Sequence, residues 1–151
     1  MDHSTKEKLI LACREYLETK AAVVRKAMNG LKEDLENESK SSAGDKYETG
    51  REMINIEWNK LSNQLNQYDQ LSKILSRIED QKSAKNVVLG SLVITNSAKF
   101  FISIPAGEIK VSDEQFYAVG VKAPISQQLL GKSKGETFIF NGKEFQILEV
   151  I

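Results

Sequence analysis

Apolar residues in the first half of the chain return at seven-residue intervals. Ile10, Leu17, Val24 and Leu31 form one line, and Ala21, Met28 and Leu35 form a second line four residues behind it. Charged residues such as Arg14, Glu15, Lys20 and Arg25 fill the positions between. A heptad repeat of this kind draws an apolar stripe along a helix and predicts that the stripe packs against a second helix. A matching stripe follows. Ile54, Leu61, Tyr68 and Leu75 lie seven apart, Trp58 and Leu65 stand four residues on, and Leu71 and Ile78 carry the line forward. Between the stripes, SSAGDKYETG at residues 41–50 breaks the pattern with small residues. Two stripes of similar length around a short break predict an antiparallel helical hairpin, with arms of about 35 residues and roughly 50 Å. Gly30 is the one poor helix former in the first arm and costs about 1 kcal/mol against alanine.

After about Lys85 the period shortens to that of strands. NVVLGSLVIT, KFFISI and QFYAVGV are rich in β-branched and aromatic residues. ETFIF and KEFQILEV flank Asn141-Gly142, a pair that favours a type I′ hairpin turn. APISQQLLGK, with proline near its start and glycine after its leucines, predicts one short helix. Phe100, Phe101, Phe116, Phe138, Phe140 and Phe145 mostly alternate as core candidates. The expected fold is therefore α+β. A coiled-coil hairpin spans residues 1–82, with its turn near 41–50, and a small sheet domain with one helix spans residues 86–151.

Composition narrows the function. The 151 residues balance 21 basic against 21 acidic side chains, with 40% hydrophobic and 28% charged. No charge excess points to sequence-specific DNA or to a membrane surface. The apolar runs are far shorter than the roughly 20 residues that span a bilayer. A single cysteine, Cys13, has no partner for an internal disulfide, and a reducing cytoplasm is the expected location. Charge is uneven only locally: residues 31–57 hold 4 basic and 8 acidic groups, so the hairpin turn is negative.

Asp45 and Glu48 stand out within that turn. They fit a capping box, with Asp45 as the N-cap of the second helix and Glu48 at its third position. The same spacing also puts two carboxylates on one helix face, where they are candidate ligands for Mg²⁺. Two ligands do not hold Mg²⁺ tightly, so the rest of such a site has to come from a partner. Cys13 reads as a small buried hydrophobe, His3 as a terminal residue without a catalytic neighbour, and Trp58 as a packing residue.

The order of these features resembles the Gre transcript-cleavage factor family of bacterial RNA polymerase. That family's turn reads approximately G-D-x-x-E-N-A-E-Y, against Gly44-Asp45-Lys46-Tyr47-Glu48-Thr49-Gly50 here. Its later motif S-P-[IL]-x-x-A-L-L-G-K-x-x-G-D is matched by Ala123-Pro124-Ile125-Ser126-Gln127-Gln128-Leu129-Leu130-Gly131-Lys132-Ser133-Lys134-Gly135-Glu136. The closing FNGKEFQILEVI is similar to the family's last hairpin. The resemblance covers nearly the whole chain. It implies an accessory factor, not an enzyme in itself, acting as a cytoplasmic monomer. The hairpin would enter the polymerase's secondary channel, and an FKBP-like sheet domain would dock on the rim. Asp45 and Glu48 would supply acidic ligands to the second Mg²⁺, so that the polymerase hydrolyses the 3′ end of backtracked RNA. Tyr47 is then a candidate to stack on a nucleotide base, Lys46 and Arg51 to meet RNA phosphates, and Lys132 and Lys134 to dock on the rim. Thr49-Gly50 replaces Asn-Ala, and Arg51, Glu52 and Met53 follow where the family has its second acid and a tyrosine. An alternative is therefore a channel regulator or inhibitor that does not stimulate cleavage. A further alternative is a prolyl isomerase, which needs an aromatic-lined pocket in the sheet domain.

Overall fold

A computed structural model of the chain describes residues 3–39 and 44–151, with the side chains at 38, 39 and 44–49 outside the described set. The two stripes form α1 (His3–Ser39) and α2 (Gly44–Glu79). Both helices run beyond the periodic stretches that predict them, and α2 takes in much of the expected break. Glu, Lys and Arg propagate a helix at little cost once it is nucleated, so the helix outlasts its apolar stripe. Arg14 on α1 meets Ser72, Ser76 and Glu79 on α2. Leu31 and Leu35 on α1 share a groove with Ile54 and Trp58 on α2. Positions rise on one helix as they fall on the other, which is the order of an antiparallel pair.

The chain divides into two compact units, Leu17–Leu71 and the combination of Met1–Tyr16 with Ser72–Ile151. In the helical unit, Leu17, Ala21 and Val24 of α1 and Leu61 of α2 are buried. Beyond Val24 the stripe is shallower: Met28, Leu31, Leu35 and Ile54 are half-buried, and Trp58 is 37% exposed. Gly30 sits mid-helix with nothing within 4 Å of where a Cβ would stand.

The second unit holds a six-stranded mixed sheet. Its strands are β1 (Leu92–Thr95), β2 (Lys99–Ser103), β3 (Gly107–Val111), β4 (Glu114–Gly120), β5 (Thr137–Phe140) and β6 (Lys143–Val150), in the order β3-β4-β2-β1-β6-β5. Only β2 and β4 run parallel. A helix, α3 (Pro124–Leu129), makes part of the crossover from β4 to β5, with Pro124 in its first turn and Gly131 at φ +84° just past its end. Asn141 and Gly142 both take positive φ, 51° and 76°, as a type I′ turn requires.

Two differences from the sequence reading have local causes. NVVLG is not strand: Val87 is tied across the unit by its N–H to the Lys132 carbonyl at 2.8 Å, and the chain turns at Gly90 with φ +94°. Strand β3 was not expected, because GEIKV lies on the sheet edge with its side chains largely exposed. The turn that joins β3 to β4 uses Ser112 and Asp113 at φ 52° and 63°, left-handed values that carry no glycine signal.

The central strand is covered on both faces, since Phe100, Phe101, Ile102 and Ser103 are all buried. One face packs Val93, Phe100, Ile102, Phe145 and Ile147 against Ile125 and Leu129 of α3. The opposite register positions Leu92, Phe101, Ser103, Phe116 and Ala118 are equally buried. The helix segments of this unit supply the matching apolar residues Leu9, Ile10, Cys13, Leu75 and Ile78. Cys13 hydrogen-bonds the Ser103 side chain. Gly90 passes so near α2 that a Cβ would lie 2.9 Å from Gln81 Oε1 and 3.3 Å from Ile78 Cγ2.

Burial and backbone conformation set the expected effect of three substitutions. Phe101→Ala, at 0% exposure, should lower the unfolding free energy by about 3–5 kcal/mol in urea titration. Ile139→Ala, at 70% exposure on β5, should change it by no more than about 0.5 kcal/mol. Gly30→Ala should raise stability by about 1 kcal/mol and increase the helical circular-dichroism signal, since the new methyl meets no atom.

Candidate functional site

Helix α2 begins at Gly44, so Asp45 and Glu48 belong to its first two turns. Asp45 is therefore a residue of the helix, not the cap before it that the capping box requires. Three residues apart on one helix, the two positions share a face. A helix N-terminus carries positive partial charge, which favours carboxylates there in their ionised form. The side chains of Asp45, Lys46, Tyr47 and Glu48 lie outside the described residues, as does any geometry they would give a metal. Arg51, one turn further along α2, is exposed. Among the described residues, no group of three or more His, Cys, Asp or Glu comes together as a metal cage.

In the sheet unit, Lys132 and Lys134 flank Ser133, which forms an isolated bridge with Asn86. The Lys132 backbone is fixed on both sides: its N–H donates to the Leu129 carbonyl at 3.0 Å, and its own carbonyl accepts from Val87 N–H. The Lys132 side chain is half-buried and that of Lys134 is exposed. The loop thus presents its two ammonium groups from a rigid backbone just past α3. The aromatic residues are used differently. Phe138 and Phe145 stack with ring centroids 5.2 Å apart, Phe100 lies 6.2 Å from Phe145, and all three are buried. They fill the α3-facing side of the sheet.

Cys13 is fully buried, and desolvation pushes its thiol up to about 11, opposed by the Ser103 hydrogen bond. A thiol held protonated is a poor nucleophile, which fits a packing role. His3 Nε2 lies 3.2 Å from Ser83 Oγ on the exposed side of the unit. Burial lowers the Lys6 ammonium below its usual range, and it donates to the Ile151 carbonyl oxygen at 3.3 Å.

Two features escaped sequence reasoning. Arg14 spreads its guanidinium over α2, with Nε on Glu79 Oε1 at 2.8 Å, Nη1 on Ser72 Oγ at 3.4 Å and Nη2 on Ser76 Oγ at 3.1 Å. Polar residues at 72, 76 and 79, at helical spacing beside the stripe, are the signal that marks it. The second is an open groove between the helices, lined by Leu31, Lys32, Leu35, Ile54, Asn55 and Trp58. Its signal is weaker, because five of these six positions look like ordinary seam or surface residues and only the tryptophan is unusual.

Comparison with protein-family models and with curated proteins returned no match.

The state of Cys13 has a pH signature. Its pKa in the folded chain lies above the thiol's ordinary value of 9.0, so the unfolded chain ionises first as pH rises. The stability that follows from a protonated thiol is complete below about pH 9 and is lost between about 9 and 11. Unfolding free energies measured across that window should fall more steeply for the wild type than for Cys13→Ala. Native Cys13 should react with a thiol reagent at pH 8 only at the rate of global or local unfolding.

Proposed function

We propose that this chain is a Gre-like accessory factor of bacterial RNA polymerase. Its helical hairpin enters the secondary channel and brings Asp45 and Glu48 to the second Mg²⁺ of the polymerase. The polymerase then hydrolyses the 3′ end of backtracked RNA, while the FKBP-like sheet domain rests on the channel rim through Lys132 and Lys134. The factor acts in the cytoplasm as a monomer and performs no chemistry alone. Tyr47, Lys46 and Arg51 would border the RNA end.

One observation carries the reading. Two long helices pair in antiparallel order, and the residue pair at the start of the second is two carboxylates one turn apart. Two hard oxygen ligands are the usual protein contribution to an octahedral Mg²⁺ shell when water and phosphate supply the rest. A site split in this way works only when a second macromolecule completes it. The mixed sheet with one short helix on its face, closed by the Asn141-Gly142 hairpin, supports the accompanying domain reading.

A second reading has support of its own. Arg51, Glu52 and the exposed Met53 follow Thr49-Gly50 in α2, where the cleavage factors carry their second acid and a tyrosine in that order. On that reading the hairpin occupies the channel and regulates initiation or pausing without shortening RNA. The isomerase alternative is weaker, because Phe100, Phe138 and Phe145 pack on one another as core.

In stalled, backtracked elongation complexes, the wild-type chain should accelerate RNA cleavage. Asp45→Asn combined with Glu48→Gln should reduce that stimulation at least about tenfold while binding to polymerase persists. Equal cleavage by the two proteins would remove the acids from the mechanism. Binding with altered pausing and no shortened RNA, even with wild type, would select the regulatory reading.

A further inference from the structure

The groove in the helical unit has the make-up of a ligand site. It is open on one side and offers about 440 Å³, within the roughly 300–1,000 Å³ usual for small-molecule pockets. Leu31, Leu35 and Ile54 make an apolar floor, and Trp58 adds an aromatic ring that is 37% exposed. Two polar side chains complete the lining: the Asn55 amide and the Lys32 ammonium. Neither has a hydrogen-bond or ion-pair partner among the described residues. Both are exposed at the lip.

We infer that this groove binds one nucleoside 5′-phosphate. The assignment comes from matching each lining group to a part of one ligand. A flat ring face is complementary to a base, and base–aromatic stacking contributes about 1–3 kcal/mol. An amide offers a donor and an acceptor in one plane, the pattern found on a base edge. A single ammonium fits a single phosphate. A fatty-acid anion would use Lys32 and the floor but leave the amide idle. A neutral apolar segment would use neither polar group. Among the described residues the groove has one aromatic platform, which suits one nucleotide and not a strand of several bases. The inference rests on the groove alone and holds whether or not the chain acts on polymerase.

Trp58 is the only tryptophan in the chain, so its emission reports the groove directly. Adenosine and guanosine 5′-monophosphates would be titrated into the full chain. Readouts are tryptophan fluorescence, corrected for ligand absorption, and amide chemical shifts at residues 31–35 and 54–58. Adenosine, ribose 5-phosphate, decanoate and a short adenylate tetranucleotide serve as comparison ligands. Saturable quenching by at least one monophosphate, with shifts confined to both helix segments, is the expected result. Lys32→Gln should weaken the monophosphate about fivefold and leave the nucleoside unchanged, the size of one exposed ion pair. Asn55→Leu should weaken nucleoside and monophosphate alike. Trp58→Leu, followed by chemical shift, should weaken both at least about fivefold. Binding of the tetranucleotide through its terminal nucleotide alone would place the source of the nucleotide at an RNA end. Binding of the monophosphate alone would make it a free nucleotide. The inference is overturned if no monophosphate binds, if decanoate or ribose 5-phosphate binds as tightly, or if Lys32→Gln makes no difference. The transcript-cleavage measurement does not bear on it, so the two readings fail separately.

Discussion

A six-stranded sheet buries nothing by itself, and the fold depends on what covers the second face of β1, β2 and β4. The six residues of α3 are enough for one face, where Ile125 and Leu129 sit among Val93, Phe100, Ile102, Phe145 and Ile147. They are too few for two. Yet Leu92, Phe101, Phe116 and Ala118, on the alternate register, are as inaccessible as their neighbours. The start of α1 and the end of α2 belong to the same compact unit, and they bring Leu9, Ile10, Cys13, Leu75 and Ile78 into its interior. At roughly 25 cal/mol per Å² of apolar surface, leaving that face in water would cost more than a small domain's whole stability. The helices are thus structural members of the sheet domain as well as partners to each other.

The same stripe does different work along its length. Near Arg14 it is reinforced by a guanidinium that bonds three side chains of α2, and Leu17, Ala21, Val24 and Leu61 are buried. Past Val24 the apolar positions are only half covered. Hydrophobic stabilisation per turn therefore falls toward the start of α2, and helix propensity takes over. Lys32, Glu33 and Glu36 around Leu31 and Leu35 keep the helix going without closing the space between the arms. The Trp58 groove is what an incompletely packed seam leaves, and its polar lip exists because no core is built there.

Much of this was legible in the chain. The heptads named both helices and most of their buried positions, and Asn141-Gly142 and the Pro124/Gly131 pair fixed a turn and a helix. Strand β3 was not legible, since an edge strand with Glu108 and Lys110 has no apolar alternation to read and its turn has no glycine. The NVVLG segment misled for the opposite reason. Its β-branched residues predict strand, but the bonds of Val87 and Gly131 to each other's neighbourhood hold it as a connection. Tertiary hydrogen bonding outweighed propensity there. At the hairpin turn the sequence names the two acids and their spacing, while backbone placement adds only that they begin a helix. The groove escaped because it is set by how deeply a seam closes, which a repeat pattern does not encode.

These layers separate stability from chemistry. Residues that hold the sheet unit together lie in the sheet and in the roots of the helices, whereas the groove lies on parts of α1 and α2 where burial is thin, and the two acids occupy the first turns of α2. Carboxylates in the first turns of a helix experience its dipole, worth about 0.3–1 kcal/mol each and screened by salt. That dipole contribution is small beside the several kcal/mol that a buried residue such as Phe101 contributes. A chain arranged this way can vary at the start of α2 without changing the buried residues of its sheet. On the channel reading proposed above, the choice between activating cleavage and only occupying the channel falls to a few side chains at the start of α2, and the buried sheet residues are not among them.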